Sequence, residues 1–188
     1  MESNLESYYQ SLYEVAATLN SARAAGVILR SMVENVAKAL RVKGCSLMLL
    51  SPDKKALFHT AAYGLSDWYI KKGRISSDKS LAEALEGKVV AVLHAPEDDR
   101  VQYREEAKKE GIASVLSVPM MLREEIIGVV RVYTAEARHF DLDDMYFVGA
   151  VANLGAIALE NAKLYHTLRR DYESLRRDML EHHPLRDW

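Results

Sequence analysis

One cysteine, Cys45, stands in 188 residues, so no disulfide can form within the chain, and a reducing, cytoplasmic setting is the expectation. Charge of one sign is also missing. The 25 basic and 27 acidic residues leave a net charge of −2 and are interspersed, which gives no broad basic footprint for nucleic acid. No apolar run approaches the roughly 18 residues that a membrane span needs. Met1 to Glu6 carries neither a basic nor an apolar region of the kind that opens a secretory leader. There is no Gly-rich phosphate loop, no internal repeat and no low-complexity segment. What remains is 49% hydrophobic and 28% charged, the composition of one soluble domain with appendages.

Periodicity divides the chain into alternating helices and strands. Leu5, Tyr8, Leu12, Val15 and Leu19 recur at spacings of three and four, a helical stripe. Asn20-Ser21 can cap a second helix to about Arg41, with Ile28, Met32, Val36 and Leu40 on one face. Residues 45–50 read as a buried strand, Pro52 to Lys55 as a turn, and Ala56 to Tyr63 as the antiparallel return. Ser66 and Asp78 can cap short helices closed by Gly73 and Gly87. Val89 to Leu93 is a short strand, and Asp99 to Glu110 an amphipathic helix stopped by Gly111. Ser114 to Leu122 and Ile126 to Tyr133 form a second hairpin around Arg123-Glu124-Glu125. From Asp141 to about Asp178 the pattern is helical throughout, roughly 38 residues or about 57 Å. That outruns any core a chain this size can build, so a partner is implied.

The ordered series Val118-Pro119, Ile127-Gly128-Val129, Tyr133, Arg138/Phe140, Asp143-Asp144 and Ala156 to Tyr165 resembles the C-terminal half of a GAF domain. Tyr63-Gly64-Leu65 and Glu86 to Val90 extend the likeness over residues 22–165. It implies an α/β (α+β) fold: a central antiparallel sheet of five to six strands, helices on both faces, and long N- and C-terminal helices. The first, second and last helices would cover one face, while residues 65–112 arch over the other and enclose a small-molecule pocket. The organisation that follows is an N-terminal dimerisation helix over 1–21, a sensor domain over 22–165, and an extension of the signalling helix with a polar tail over 166–188.

Pocket candidates are polar-tipped residues on apolar elements. Alternation puts His59 and Tyr63 on one side of their strand, and an imidazole there needs a hydrogen-bonding partner, which a ligand can be. Trp68, His94, Tyr103 and Ser117 are further candidates around the same cavity. Arg131, a guanidinium on an otherwise apolar strand, must meet a carboxylate, a phosphate or solvent. Packing, a backbone-bonded core histidine and a salt bridge to a covering helix are the competing readings.

No two of His59, His94, His139, His166, His182 and His183 share a helical face at ligand spacing with a third ligand, so no metal site is expected. A haem's axial histidine has only His59 or His94 to come from, and the cofactor stays unidentified. Residues 56–112 hold no cysteine for a bilin, and the Asn-Lys-Phe-Asp-Glu pattern of cyclic-nucleotide-binding relatives is absent. Catalytic relatives reduce free methionine sulfoxide with one attacking and one resolving thiol. A lone Cys45 in a buried strand does not run that cycle, and no nucleophile-elbow pattern appears. The chain is therefore expected not to be an enzyme.

Beyond the domain, Tyr165, Leu168, Tyr172, Leu175 and Met179 recur at alternating spacings of three and four, with charged residues on the other faces, as in a heptad seam. With the stripe at Leu5, Tyr8, Leu12, Val15 and Leu19, it can build a four-helix bundle across a two-fold axis. The expected protein is a cytoplasmic, homodimeric sensor module that binds an unidentified small molecule and signals to a downstream protein partner, without nucleic acid or membrane. No output domain follows, so the chain acts through its long helix or is a fragment of a larger receptor. The alternatives are a pocketless structural dimerisation module and a free methionine sulfoxide reductase-like enzyme.

Overall fold

The structure, a computed structural model, describes residues 2–19, 24–73, 75–77 and 81–181. In chain order these form α1 (Glu2–Leu19), α2 (Ala25–Ala39), β1 (Gly44–Leu50), β2 (Ala56–Tyr63), α3 (Asp67–Ile70), β3 (Ile75–Ser76), α4 (Ala82–Leu85), β4 (Val90–Val92), α5 (Arg104–Glu110), β5 (Ser114–Leu122), β6 (Glu125–Thr134) and α6 (Leu142–Glu181). The strands make one antiparallel sheet in the order β3-β2-β1-β6-β5-β4. The two hairpins β1–β2 and β5–β6 meet through the central pair β1–β6, where Ser46 lies opposite Arg131 and Met48 opposite Val129.

Both faces of this sheet are covered, which is why β1 and β5 are apolar on both alternating sets. Cys45, Leu47, Leu116, Val118, Met120, Val130 and Val132 join α1, α2 and α6 in the larger core. Met48, Leu57, Val115, Val129 and Tyr133 form the second core with Tyr69, Leu81, Ala84, Ala107 and Ile112 from the 65–112 segment.

Local chemistry places several boundaries. Ser66 caps α3 by accepting from the Tyr69 amide, and Gly111 ends α5 at a φ of 72°. Gly64 has a φ of +72°, and a Cβ there would lie 2.1 Å from the Lys43 carbonyl oxygen, so only glycine lets β2 leave the sheet past the start of β1. At the start of α6, Asp141 Oδ1 accepts the Asp144 amide at 2.8 Å and Asp144 Oδ2 accepts the Asp141 amide at 3.3 Å, a reciprocal cap.

Three expectations change. The helix expected from Asp99 begins at Arg104, because Asp98 folds back on Arg100: its carboxylate accepts the Arg100 backbone amide at 2.9 Å and the guanidinium at 2.7 Å. Asn20-Ser21 and Asp78 lie outside the described residues, and the helices they are expected to cap start after Ala24 and Leu81, neither of which caps through its side chain. The stripe through Leu5, Tyr8, Leu12, Val15 and Leu19 is largely used inside the chain: Tyr8 and Val15 are buried in the larger core, and Leu12 and Leu19 pack on it. Leu5 stays exposed, as do Tyr9 and Tyr13 on the opposite side of α1.

α6 has two unlike halves. Phe147, Val148, Val151, Ala152, Ala156 and Ala158 are buried against the sheet and its partner helices, whereas every described side chain from Lys163 on is exposed. Against the expectation that no apolar run approaches the length of a membrane span, α6 is long and apolar enough, by length and composition, to cross one. Its apolar side lies in the domain's own core.

Candidate functional site

The face of the sheet under residues 65–112 carries an unusual load of polar atoms for a buried surface. β6 sends Arg131 and Tyr133 to it, β5 sends Ser117, β1 sends Ser46, and β2 sends His59. Arg131 is 6% exposed and donates from Nε to Ser117 Oγ at 3.1 Å. Its guanidinium lies 5.8 Å from the Tyr133 ring. The Tyr133 hydroxyl is 3.0 Å from Ser46 Oγ, with both groups buried. From the roof, Tyr69 meets Tyr133 edge-on at 6.1 Å. Lys72, just after α3, donates from Nζ to the Tyr69 carbonyl at 2.9 Å and sits 3.6 Å from the Tyr69 ring and 5.5 Å from that of Tyr103.

Among the described residues, neither nitrogen of the His59 ring has a hydrogen-bond partner, although both are shielded from solvent. Burial, reinforced by the positive charges of Lys72 and Arg131, lowers its pKa to about 4, so the ring is neutral at pH 7. Burial and then the Arg131 charge lower Lys72 to about 8. Desolvation raises the Tyr69 and Tyr133 phenols, which stay protonated. Among the described residues, neither Arg131 nor Lys72 forms an ion pair. Glu106 and Glu110 bear on Lys72 only through longer-range attraction, and Glu110 is engaged by the Ser66 amide and hydroxyl.

The structure therefore brings His59, Ser117 and Arg131 to one face and sets Tyr103 beside Lys72 above it. It does not bring the other candidates there. The β1–β2 register shifts between Leu47 and Met48, so Leu47 pairs with Ala61 and Met48 with His59, and Thr60 is the extra residue. A bulge reverses the pleat beyond it. His59 follows Met48 into the second core, whereas Ala61 and Tyr63 follow Leu47 and Cys45 to the α2 face, where Lys38 Nζ lies 6.0 Å from the Tyr63 ring. Trp68 is 40% exposed, edge-on to Tyr69 at 5.9 Å and with Lys109 Nζ 4.8 Å from its ring, on the outer side of the roof. His94 lines a separate cleft of about 470 Å³ with Arg100, Arg138 and His139. A second cleft, of about 530 Å³, lies between residues 41–43 and 134–138.

Lys72, Tyr69 and Ser46 were not singled out by sequence. A lysine beside a glycine reads as a surface turn, and only the fold shows that its ammonium is turned under two tyrosine rings. Cys45 is fully buried and desolvation raises its thiol pKa, which holds it protonated. No group of three or more metal-ligating side chains occurs among the described residues.

Comparison with known proteins places this geometry in context. The GAF domain family model matches residues 22–160. Over 139 residues the chain is 27% identical to the methyl sulfide methyltransferase-associated sensor of Methanosarcina acetivorans, covering 70% of this chain and 14% of that protein. The chain thus spans a small part of that relative. In fold it is similar to the GAF domain of a phosphoenolpyruvate-protein phosphotransferase from Coxiella burnetii, with a TM-score of 0.77 and 20% identity over 88% of this chain and 99% of that one. It is also similar to the free methionine-R-sulfoxide reductase of Neisseria meningitidis in complex with its substrate, with a TM-score of 0.70 and 16% identity over 84% and 91% of the two chains.

Proposed function

This chain belongs to the GAF domain family, and from that premise we propose that it is a regulatory sensor module that binds a small molecule between the sheet and the 65–112 roof. The observation that carries the reading is His59. Two buried nitrogens without a partner cost free energy in a finished core, and they lie on the face that a domain-sized lid covers. A ligand that supplies a donor and an acceptor to the ring removes that cost. The likeness to a protein named as a sensor supports the regulatory role.

In this reading the module signals as a homodimer through α6. Tyr165, Leu168, Tyr172, Leu175 and Met179 are each more than 60% exposed, a row of apolar side chains with no cover among the described residues. A second copy of the same seam is its natural complement, because a repeat of three and four residues packs on itself. The exposed Leu5, Tyr9 and Tyr13 of α1 flank the base of such a bundle. The role is sensory rather than catalytic: a single buried, protonated thiol supplies neither the nucleophile nor the resolving partner of a sulfoxide reductase. The free cysteine fits the cytoplasm, and the bundle would act on a downstream protein partner.

A pocketless dimerisation module is the second reading, favoured by the two clefts at 91–100/138–140 and 41–43/134–138, neither of which touches His59. Native mass spectrometry of freshly purified protein separates the two. A co-purifying small molecule that is absent from His59→Leu supports the sensor. Protein that carries none and gains no thermal stability from a metabolite extract supports the closed module.

A further inference from the structure

We propose that the molecule bound under the roof is a small organic anion whose carboxylate is taken by Arg131 and Lys72. The inference rests on the sensor reading and names the chemical class of its ligand. Its basis is a charge imbalance. Arg131 comes from β6 and Lys72 from the end of α3, elements separated by the core tyrosines Tyr69 and Tyr133, and both cations turn toward the same interior. Each has polar or aromatic company: Ser117 and the Tyr133 ring for Arg131, the Tyr69 carbonyl and the Tyr69 and Tyr103 rings for Lys72. None of these groups carries a negative charge, and no carboxylate among the described residues pairs with either cation.

Burying a cation without an anion is among the more expensive arrangements in a protein. Arg131 is such a buried cation, and the half-buried Lys72 ammonium close to it adds a second positive charge that no side chain there offsets. No acidic residue of a covering helix pairs with Arg131 among the described residues: Glu110 is held by Ser66, and Glu106 forms no ion pair there. The site therefore suits a ligand that brings the missing charge. Arg131 has its fork for a planar carboxylate, and Lys72 adds a point charge from the roof side. His59, neutral and unpartnered, offers one donor and one acceptor to the rest of the molecule. Met48, Leu57 and Val129 give that part an apolar floor. A ligand spanning roof and sheet also ties α3 to β6, and β6 leads through Arg138 into α6.

The test uses the full chain, freed of co-purified ligand by mild denaturation and refolding. Succinate, inorganic phosphate and the uncharged succinamide serve as probes at ionic strength matched with sodium chloride. Two readouts are taken: the thermal midpoint, and the rate at which acetic anhydride labels Lys72 relative to exposed Lys71, followed by mass spectrometry. Succinate is expected to raise the midpoint by several degrees and to slow Lys72 labelling several-fold, with no effect from succinamide or salt. The response is expected to vanish in Lys72→Gln, whose partly exposed position tolerates substitution, and to persist weakened in Arg131→Lys, which keeps the charge and loses the fork. Phosphate acting in place of succinate would narrow the recognised group to a tetrahedral anion and overturn the carboxylate assignment. A stabilising response to succinamide equal to that of succinate, or a co-purified neutral molecule bound as well by Lys72→Gln, would overturn the anion while leaving the sensor intact. No response to any probe, with no co-purified molecule, would remove both.

Discussion

Asp144→Ala is expected to be the most damaging single change away from the roofed face, and its cost can be built up from contacts. The Asp144 carboxylate is 2% exposed and accepts from three directions. Arg138 Nη2 reaches both oxygens at 2.9 Å, the Tyr8 hydroxyl reaches Oδ1 at 2.5 Å, and the Asp141 amide reaches Oδ2 at 3.3 Å. Arg138 in turn donates from Nη1 to the carbonyl of Leu40, the C-cap of α2, at 2.7 Å. One side chain thus ties α1, α2, the loop after β6 and the first turn of α6. Removing it leaves a partly buried guanidinium without its anion, about 3 kcal/mol or more by analogy with broken buried pairs. It also strips the acceptor from a buried phenol and half of a helix cap, about 1 kcal/mol each. The terms overlap, so the expected total is about 4 kcal/mol, a large share of a domain stability of about 5–15 kcal/mol. Tyr8→Phe keeps the 4.5 Å stack on Phe147 and loses only the hydroxyl, so it is expected to cost about 1.5 kcal/mol. Urea unfolding of Tyr8→Phe, Asp144→Ala and the double variant forms a cycle. A coupling near zero, or an Asp144→Ala midpoint within error of the wild type, would refute the idea that this carboxylate joins the terminal helices to the sheet.

Three further outcomes are expected. His59 has a folded pKa of about 4 against an ordinary 6.5, so between those values the unfolded chain binds a proton that the folded one refuses; relative to His59→Leu, the wild type should lose about 3 kcal/mol of stability as pH falls through that window, measured by urea titration at pH 7 and pH 4, and parallel pH profiles would count against a buried neutral ring. Gly64→Ala forces a side chain onto a φ of +72° with its Cβ 2.1 Å from the Lys43 carbonyl oxygen, and should cost more than about 2 kcal/mol; an unchanged denaturation midpoint would show that the β2 exit can shift to make room. Leu168→Glu with Leu175→Glu should halve the mass seen by light scattering while circular dichroism of the domain is preserved, since both side chains lie past the core; a wild type already monomeric at tens of micromolar would end the seam argument.

Periodicity carried most of the fold because both of its signals are local. The 45–50 and 114–122 strands were visible as apolar on both sets, since a sheet covered on two faces leaves no polar side. The long final helix was visible because nothing in residues 142–181 breaks the 3.6 repeat. The α1 stripe was equally visible, but its destination was not. A helix whose apolar positions recur at three and four fits a partner's seam and its own chain's core equally well. Burial of Tyr8 beside Phe147 and of Val15 in the larger core assigns most of that stripe to the chain itself.

The candidate site was legible where alternation held and illegible where it failed. Arg131 and Ser117 lie opposite one another across the β5–β6 ladder, and both follow from counting along regular strands. His59 is legible as an imidazole among aliphatics, and among the described residues neither of its nitrogens has a partner. Strict alternation puts Tyr63 on the wrong face: Thr60 is inserted against β1, and a single unpaired residue sends every later side chain of β2 to the other face. No spacing in Phe58-His59-Thr60-Ala61 announces the insertion, because a bulge is set by pairing across strands rather than by the strand that carries it. Lys72 was missed for the complementary reason. Its place under Tyr69 and Tyr103 arises from the packing of α3 against α5, and the cation gains significance only once Arg131 is known to face the same interior.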